Sequence, residues 1–303
     1  MIEKGQSSSE ELVYTRLLEE RDQGPSTRQP ILKRLEERRG RKMVSFFTSF
    51  RYPVLMNDED ADLLEGLLQK LDLDSGLSLI LNSPGGMALA AERVIRACRT
   101  YSNGDFEVIV PKMAKSAATM ICLGASKIVM SGTSELGPID PQIVLQEGDQ
   151  FTILSVWGVI KSYRELFEEA IGTQGNIEPF LQQLDRYDAR LIKQWELEQK
   201  LGTDIVIQAL QTGMFKDLER DEIEQKIGLL LDPEKTMSHG RPIYWETASE
   251  KMGLNIEHID NLDPLWQDVY EVYVRSYHYV SQAACKLIET VEHHFSVSAP
   301  RGE

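Results

Sequence analysis

Residues 77–86 read Leu77-Ser78-Leu79-Ile80-Leu81-Asn82-Ser83-Pro84-Gly85-Gly86. Leu77–Leu81 has the length and apolar character of a buried strand, and it stops at a turn built from Pro84, Gly85 and Gly86. Ala88–Cys98 follows with helical spacing, so the turn joins a strand to a helix. The same order returns downstream. Asp105–Val110 reads as a strand, Pro111–Lys115 as a polar turn, Ser116–Gly124 as a helix of small residues and Lys127–Met130 as a third buried strand. Upstream, Met43–Phe47 and Tyr52–Met56 read as strands. Between them and residue 77, Asp58–Leu71 is an amphipathic helix with Ala61, Leu64, Leu67, Leu68 and Leu71 on one face. Strands and helices alternating at this spacing imply right-handed crossovers and a largely parallel sheet, an α/β fold.

Away from this core the pattern changes. Beyond Gly137-Pro138 it is mostly helical, with Ser155–Ala170, Glu178–Leu201, Thr203–Thr212 and Leu218–Leu231 periodic and highly charged. A loop holding Pro233, His239-Gly240 and Pro242 leads to Tyr244–Met252. Leu265–Ile288 reads as one long helix, and the Ser/Pro/Gly tail from Ser296 as a disordered end. Residues 1–43 read as a charged arm with short helices at Glu10–Arg21 and Ile31–Arg39. Its basic stretch Leu32–Lys42 suits a solvated face or a partner-docking surface. The expected organisation is therefore an arm at 1–43, a catalytic domain at 44–260 with a helical insertion near 176–232, and a C-terminal helix with a flexible tail at 261–303.

Composition narrows the function. The 303 residues carry 33 Lys+Arg against 48 Asp+Glu, a formal charge of −15, which argues against non-specific binding to nucleic acid. Three widely spaced cysteines, Cys98, Cys122 and Cys285, exclude a disulfide scaffold and a paired-cysteine zinc site, and fit a reducing compartment. His258, His278, His293 and His294 show no metal-ligand spacing, and no Gly-rich dinucleotide fingerprint is present, so neither metal nor cofactor is expected. No window reaches the roughly 18–20 apolar residues of a spanning helix. The expectation is a soluble cytoplasmic protein without a membrane partner.

Two strand-to-helix turns, some thirty residues apart, hold the chemistry. The Gly85-Gly86 turn allows backbone N–H groups to point outward beside a helix N-terminus, the arrangement of an oxyanion hole. It equally suits an ordinary strand-to-helix connection. Ser116 stands where a helix begins, followed by small residues that admit a substrate. A nucleophilic serine needs that exposure, and an N-cap serine would occupy the same place with no catalytic role.

Taken together, Ser83-Pro84-Gly85-Gly86, Lys115-Ser116-Ala117-Ala118-Thr119 and Gly137-Pro138-Ile139-Asp140-Pro141-Gln142 resemble the ClpP/crotonase superfamily. Within it, the likeness is to the serine dehydrogenase proteinases, ClpP-like serine peptidases related to signal peptide peptidase A. It resumes at His239-Gly240-Arg241-Pro242-Ile243, Ala248 and Gly253-Leu254. The resemblance implies a core of repeated β-β-α units, with a helical insertion and C-terminal helices added. It implies Ser116 as the acyl-forming nucleophile, with the N–H groups of Gly85, Gly86 and Ala117 around the oxyanion. Donors of that kind are worth roughly 3–4 kcal/mol in the transition state. ClpP's histidine, soon after its serine, has no counterpart in Leu136–Asp140. The Ser, Asp, His order of the serine dehydrogenase proteinases maps onto Ser116, Asp140 and His239. The Ser–Lys dyad of signal peptide peptidase A would instead use Lys161. Each has a plain alternative: His239 as an exposed loop histidine, Asp140 as a turn cap, Lys161 as a solvated lysine. Lys115, beside the nucleophile, suits tuning of the local potential better than proton transfer.

The reading is a serine peptidase acting on peptides or unfolded protein through an acyl-enzyme on Ser116. As with other members of the superfamily, a homo-oligomer is implied. Two rivals stand beside it. A crotonase-type acyl-CoA enzyme would use the same oxyanion hole without a nucleophile, and a degenerate member would keep the fold as an interaction scaffold.

Overall fold

The computed structural model describes residues 12–20, 23–52, 54–147 and 150–299. Helices α1 (Val13–Glu19) and α2 (Gln29–Arg39) lead into β1 (Lys42–Thr48), α3 (Asp58–Leu68), β2 (Leu77–Asn82) and α4 (Ala88–Tyr101). Next come β3 (Phe106–Val110), the two-residue β4 (Met113–Ala114), α5 (Ala117–Gly124), β5 (Lys127–Met130) and the two-residue β6 (Glu135–Leu136). A hairpin of β7 (Gln142–Glu147) and β8 (Gln150–Ser155) precedes α6 (Val156–Gly172), α7 (Glu178–Leu184), α8 (Ala189–Gln211), α9 (Arg220–Leu231) and α10 (Pro233–Thr236). The chain closes with β9 (Ile256–His258), α11 (Pro264–Gln282), β10 (Ala284–Glu289) and β11 (His294–Ser298).

One seven-stranded sheet, ordered β11-β10-β1-β2-β3-β5-β9, organises these elements. β1, β2, β3, β5 and β9 run parallel, and β10 and β11 add to one side as antiparallel strands. Alternate residues of each central strand feed opposite faces, as the two-residue period requires. Val44, Phe46, Leu77, Leu79, Leu81, Phe106, Val108 and Val110 enter the core beneath α3, α4, α5, α8 and α9. Met43, Phe47, Ile80, Ile109 and Val129 enter the other, beneath α2 and α11, with Trp266, Val269, Val272 and Leu287. The result is the expected α/β architecture, a sheet covered by helices on both faces.

A second, smaller ribbon decides where the chemistry falls. Ser83 bridges Ala114 in parallel, β4 pairs with β6 in parallel, and Leu136 bridges Ile243 antiparallel. Four pieces of chain thus lie side by side at the carboxyl ends of β2 and β3. Each leads directly to, or arrives from, one of the motifs picked out in the sequence: the glycine turn, Ser116, Asp140 and His239.

Several sequence expectations need correction. Tyr52–Met56 is not a strand: Pro53 falls outside the described residues, and Met56 alone forms a bridge, to Gly86. Leu265–Ile288 is not one helix. It ends at Gln282, and Ala284–Glu289 becomes β10 because β1 offers it an open edge to pair with. Ser296–Ser298 lies in β11 rather than in a disordered tail; residues 300–303 lie outside the described ones. The helix expected at Glu178–Leu201 breaks after Leu184 and restarts at Ala189, where the Asp188 side chain accepts from the N–H of Arg190 (2.8 Å). The β7–β8 hairpin was not anticipated.

The stretch 1–43 is, over its described part, no detached arm. Ile31, Leu32 and Leu35 of α2 are fully packed in the second core. Arg28 is buried in a forked ion pair with Glu289 (2.8 and 3.2 Å), its guanidinium stacked over Tyr279. The basic run is neutralised within the chain: Arg34 pairs with Asp268, Arg39 with Glu107 and Glu257, and Arg41 with Asp105.

Candidate active site

Ser116 lies at the junction of β4 and α5 with φ +50° and ψ −120°. Asn103 and Met237 are the other described non-glycine residues with positive φ. A serine held there is strained, at a cost of about 1–3 kcal/mol, and such strain persists only where the surroundings enforce it. The enforcing contacts come from both sides. The backbone of residue 115 is locked to the glycine turn, with the Lys115 N–H donating to Ser83 O (3.0 Å). Behind it, Thr119 Oγ1 donates to Ala114 O (2.8 Å) and lies within reach of both the carbonyl and the N–H of Gly137 (3.0 and 3.1 Å). Thr119, one turn along α5, therefore braces the serine turn against the chain leading to Asp140.

The glycine turn packs directly on this serine. Gly85 has φ +106°, and a Cβ there would sit 2.7 Å from both Ser116 Cβ and Lys115 O. A Cβ on Gly86 would fall on the backbone N, Cα and O of Met56. The expected oxyanion donors separate at this point. The Gly85 N–H donates to Ser83 Oγ (3.1 Å) and is taken. The N–H groups of Gly86 and Ala117 have no acceptor among the described residues, Ala117 being the first residue of α5. The N–H groups left without an acceptor beside Ser116 are thus those of Gly86 and Ala117, at the positive end of a helix, while Gly85 shapes the turn.

Ser116 opens into a pocket of about 440 Å³. Its walls are largely apolar, from Leu55, Met87, Leu89, Met120, Ile139 and Leu201, with Glu198 at the edge. None of these walls was singled out in the sequence. They come from five separate stretches, and the contribution of α8 carried no local signal.

Asp140 and His239, ninety-nine residues apart, are hydrogen-bonded, His239 Nδ1 lying 2.5 Å from Asp140 Oδ1. Two backbone ties bring them together. Ile139 N–H donates to Leu230 O at the end of α9 (2.8 Å), and Leu136 exchanges both backbone bonds with Ile243 (2.9 and 3.0 Å). Asp140 is buried, and its Oδ2 has no partner among the described residues. Its chain neighbours Ile139 and Pro141 both line the Ser116 pocket, while Asp140 and His239 are not themselves among its lining residues. Among the described residues no hydrogen bond joins His239 to Ser116.

Lys161 stands apart from the Ser116 pocket. It is exposed on α6, outside the Ser116 pocket, paired with Glu234 and Glu165 and stacked over Trp157. The Glu234 carboxylate raises its pKa, the opposite of what a neutral lysine base requires. Lys115 is committed too, its Nζ bound to Glu135 (2.8 Å) and Leu136 O (3.3 Å), so that it clamps the serine turn to β6. The thiols do not compete as nucleophiles. Cys98 and Cys122 are buried, and burial pushes the Cys98 thiol up to about 12.

The α/β sheet carries the glycine turn and the strained serine at the carboxyl ends of parallel strands, in keeping with the resemblance to ClpP-like proteins. Residues 19–158, from α1 to the start of α6, match the model of the ClpP-like SDH-type serine proteinase family. Two uncharacterized proteins of Methanocaldococcus jannaschii are similar. One is 36% identical over 85 residues, 28% of this chain and 29% of its own; the other is 28% identical over 120 residues, 37% of this chain and 41% of its own. The chain therefore spans less than half the length of either relative. A membrane-bound stomatin-specific protease, solved as a mutant, aligns over 71% of this chain and 79% of its own, with TM-score 0.34 and 13% identity. The family match supports a peptidase-like role. Among the described residues no helix is long and apolar enough to cross a membrane.

Proposed function

We propose that this protein is a serine peptidase that hydrolyses peptide bonds through an acyl-enzyme on Ser116. The observation that carries the proposal is the strained Ser116 (φ +50°) packed against the glycine turn, with the Gly86 and Ala117 N–H groups free beside it. In this mechanism Ser116 Oγ attacks the scissile carbonyl carbon as its proton passes to His239 Nε2. Asp140 supports that role by holding His239 Nδ1, which leaves Nε2 as the working nitrogen. Negative charge developing on the carbonyl oxygen falls between the Gly86 and Ala117 donors. Collapse releases the amine, which takes the proton from His239, and water activated by the same nitrogen hydrolyses the ester.

Substrate peptides would lie across the apolar pocket. We extend the reading to a cytoplasmic homo-oligomer. The three unbridged cysteines support the compartment, and exposed apolar residues such as Phe167, Ile171 and Leu181 on the helical layer support self-association. A fluorophosphonate probe tests the core of the proposal. Wild-type protein should be labelled and Ser116→Ala should not; a folded wild type left unlabelled between pH 6 and 9 would remove the mechanism.

A further inference from the structure

Among the described residues Glu198 has no cationic partner, unlike several other acids of the helical layer. Glu196 pairs with Arg164 and Lys193, Asp188 with Arg190, Asp204 with Arg220, and Glu165 with Lys161. Glu198 lies three residues before Leu201 on the same helix and lines the pocket that holds Ser116. Its partner among the described residues is the neutral amide of Gln194 (3.0 Å). The rest of the lining carries no ionisable side chain: Leu55, Met87, Leu89, Met120, Ile139 and Pro141 are apolar, and Gln142 is neutral. A carboxylate with no cationic partner among the described residues, lining an otherwise uncharged cleft, leaves a negative potential there that a cationic ligand would offset.

From this we infer that Glu198 is a specificity-determining residue: the site selects peptides that place an apolar side chain in the pocket and a cationic group, a lysine or arginine side chain, beside it. The inference rests on the peptidase reading and adds to it the charge of the preferred substrate. α8 supplies the selecting group, so the helical layer acts as a reader of the substrate and not only as cover for the sheet. Because the carboxylate is exposed, the discrimination is that of a solvated ion pair, about fivefold at low ionic strength, and it fades as salt screens it.

The test uses internally quenched peptides that contain one leucine, with lysine, norleucine or glutamate placed in turn at each flanking position. Specificity is read as the ratio of kcat/KM for lysine over norleucine within one protein, so any loss of folded fraction cancels. The expected ratio is about five at one position in wild type, near one in Glu198→Gln and below one in Glu198→Lys. The same peptides, fluorescently labelled, are titrated by anisotropy into Ser116→Ala, alone and combined with Glu198→Gln, which reads the pocket without turnover. A ratio of one in wild type, or a lysine preference that survives in Glu198→Gln, overturns the inference. Lysine selectivity in the anisotropy arm without fluorophosphonate labelling would sink the catalytic mechanism and leave the selector standing. Labelling without selectivity does the reverse.

Discussion

Replacing Gly86 with alanine tests the assignment of the oxyanion donors. The new Cβ falls on the Met56 backbone, which is held by two hydrogen bonds, Met56 N–H to Gly85 O and Met87 N–H to Met56 O (both 2.9 Å). The glycine turn and the Met56 bridge must part for the methyl to fit. At about 1 kcal/mol for each backbone bond lost, the stability cost is about 2 kcal/mol, which leaves a folded protein of ordinary stability still folded. The same displacement swings the Gly86 N–H away from the carbonyl oxygen position. Loss of one such donor costs about 2.7–4 kcal/mol of transition-state stabilisation, a factor of 10²–10³. The assay is the second-order rate of fluorophosphonate labelling, since the phosphonyl oxygen occupies the same hole, measured beside a urea unfolding curve on the same preparation. Ser83→Ala is the control: it releases the Gly85 N–H but leaves Gly86 in place, and is expected to slow labelling less than tenfold. A folded Gly86→Ala protein labelled within tenfold of wild type, or a larger effect from Ser83→Ala, would refute the assignment.

Other expectations follow from the same geometry. Asp140→Asn should slow labelling by at least about 100-fold, because an amide no longer fixes the His239 tautomer; the labelling rate measured against pH checks this. Lys161→Ala should label within twofold of wild type, and a loss beyond tenfold would restore lysine as base. Glu289→Gln should cost about 3–5 kcal/mol in urea unfolding, because it leaves the buried Arg28 guanidinium without its counter-charge. Glu257 is held down at about 2, from an ordinary 4.5, chiefly by Arg39. Its stabilising effect is therefore complete above pH 4.5 and lost as pH falls from 4.5 towards 2. Unfolding curves across that window should be flatter in Glu257→Gln, and an unchanged slope would show that the pair contributes nothing.

The readable part of this fold is the part whose signals are local. β2, β3 and β5 show as short apolar runs because both faces of the sheet are covered, and the turns after β2 and β3 carry glycine and serine that can be seen one residue at a time. Pairing across the chain is a different matter. Ala284–Glu289 continues the periodicity of α11, and only the free edge of β1 makes it a strand. Arg28 looks like one more charge in a basic segment until Glu289 arrives from the far end of the sequence. At the site, residue types and spacing marked Ser116 and the glycine turn as candidates, with an N-cap serine and an ordinary turn left open, and the family resemblance joined them. Asp140 and His239 came forward through family likeness, since nothing local shows that Leu136 and Ile243 will bridge. The capture of the Gly85 N–H by Ser83 Oγ was invisible too, because it depends on a side-chain rotamer rather than on composition.

The place of β10 beside β1 also bears on how the molecule is made. A ribosome delivers Arg28 and β1 early, yet their partners lie far downstream, with Glu289 261 residues after Arg28. Until that segment emerges, the nascent chain holds a buried-type arginine with no counter-ion and an unpaired strand edge at the centre of its sheet. The local units around β2, β3 and β5 have what they need to form, but closing the sheet waits for β10. Completion of the fold thus waits for translation of that downstream segment, and the exposed edge of β1 is the natural point for a chaperone to protect in the meantime.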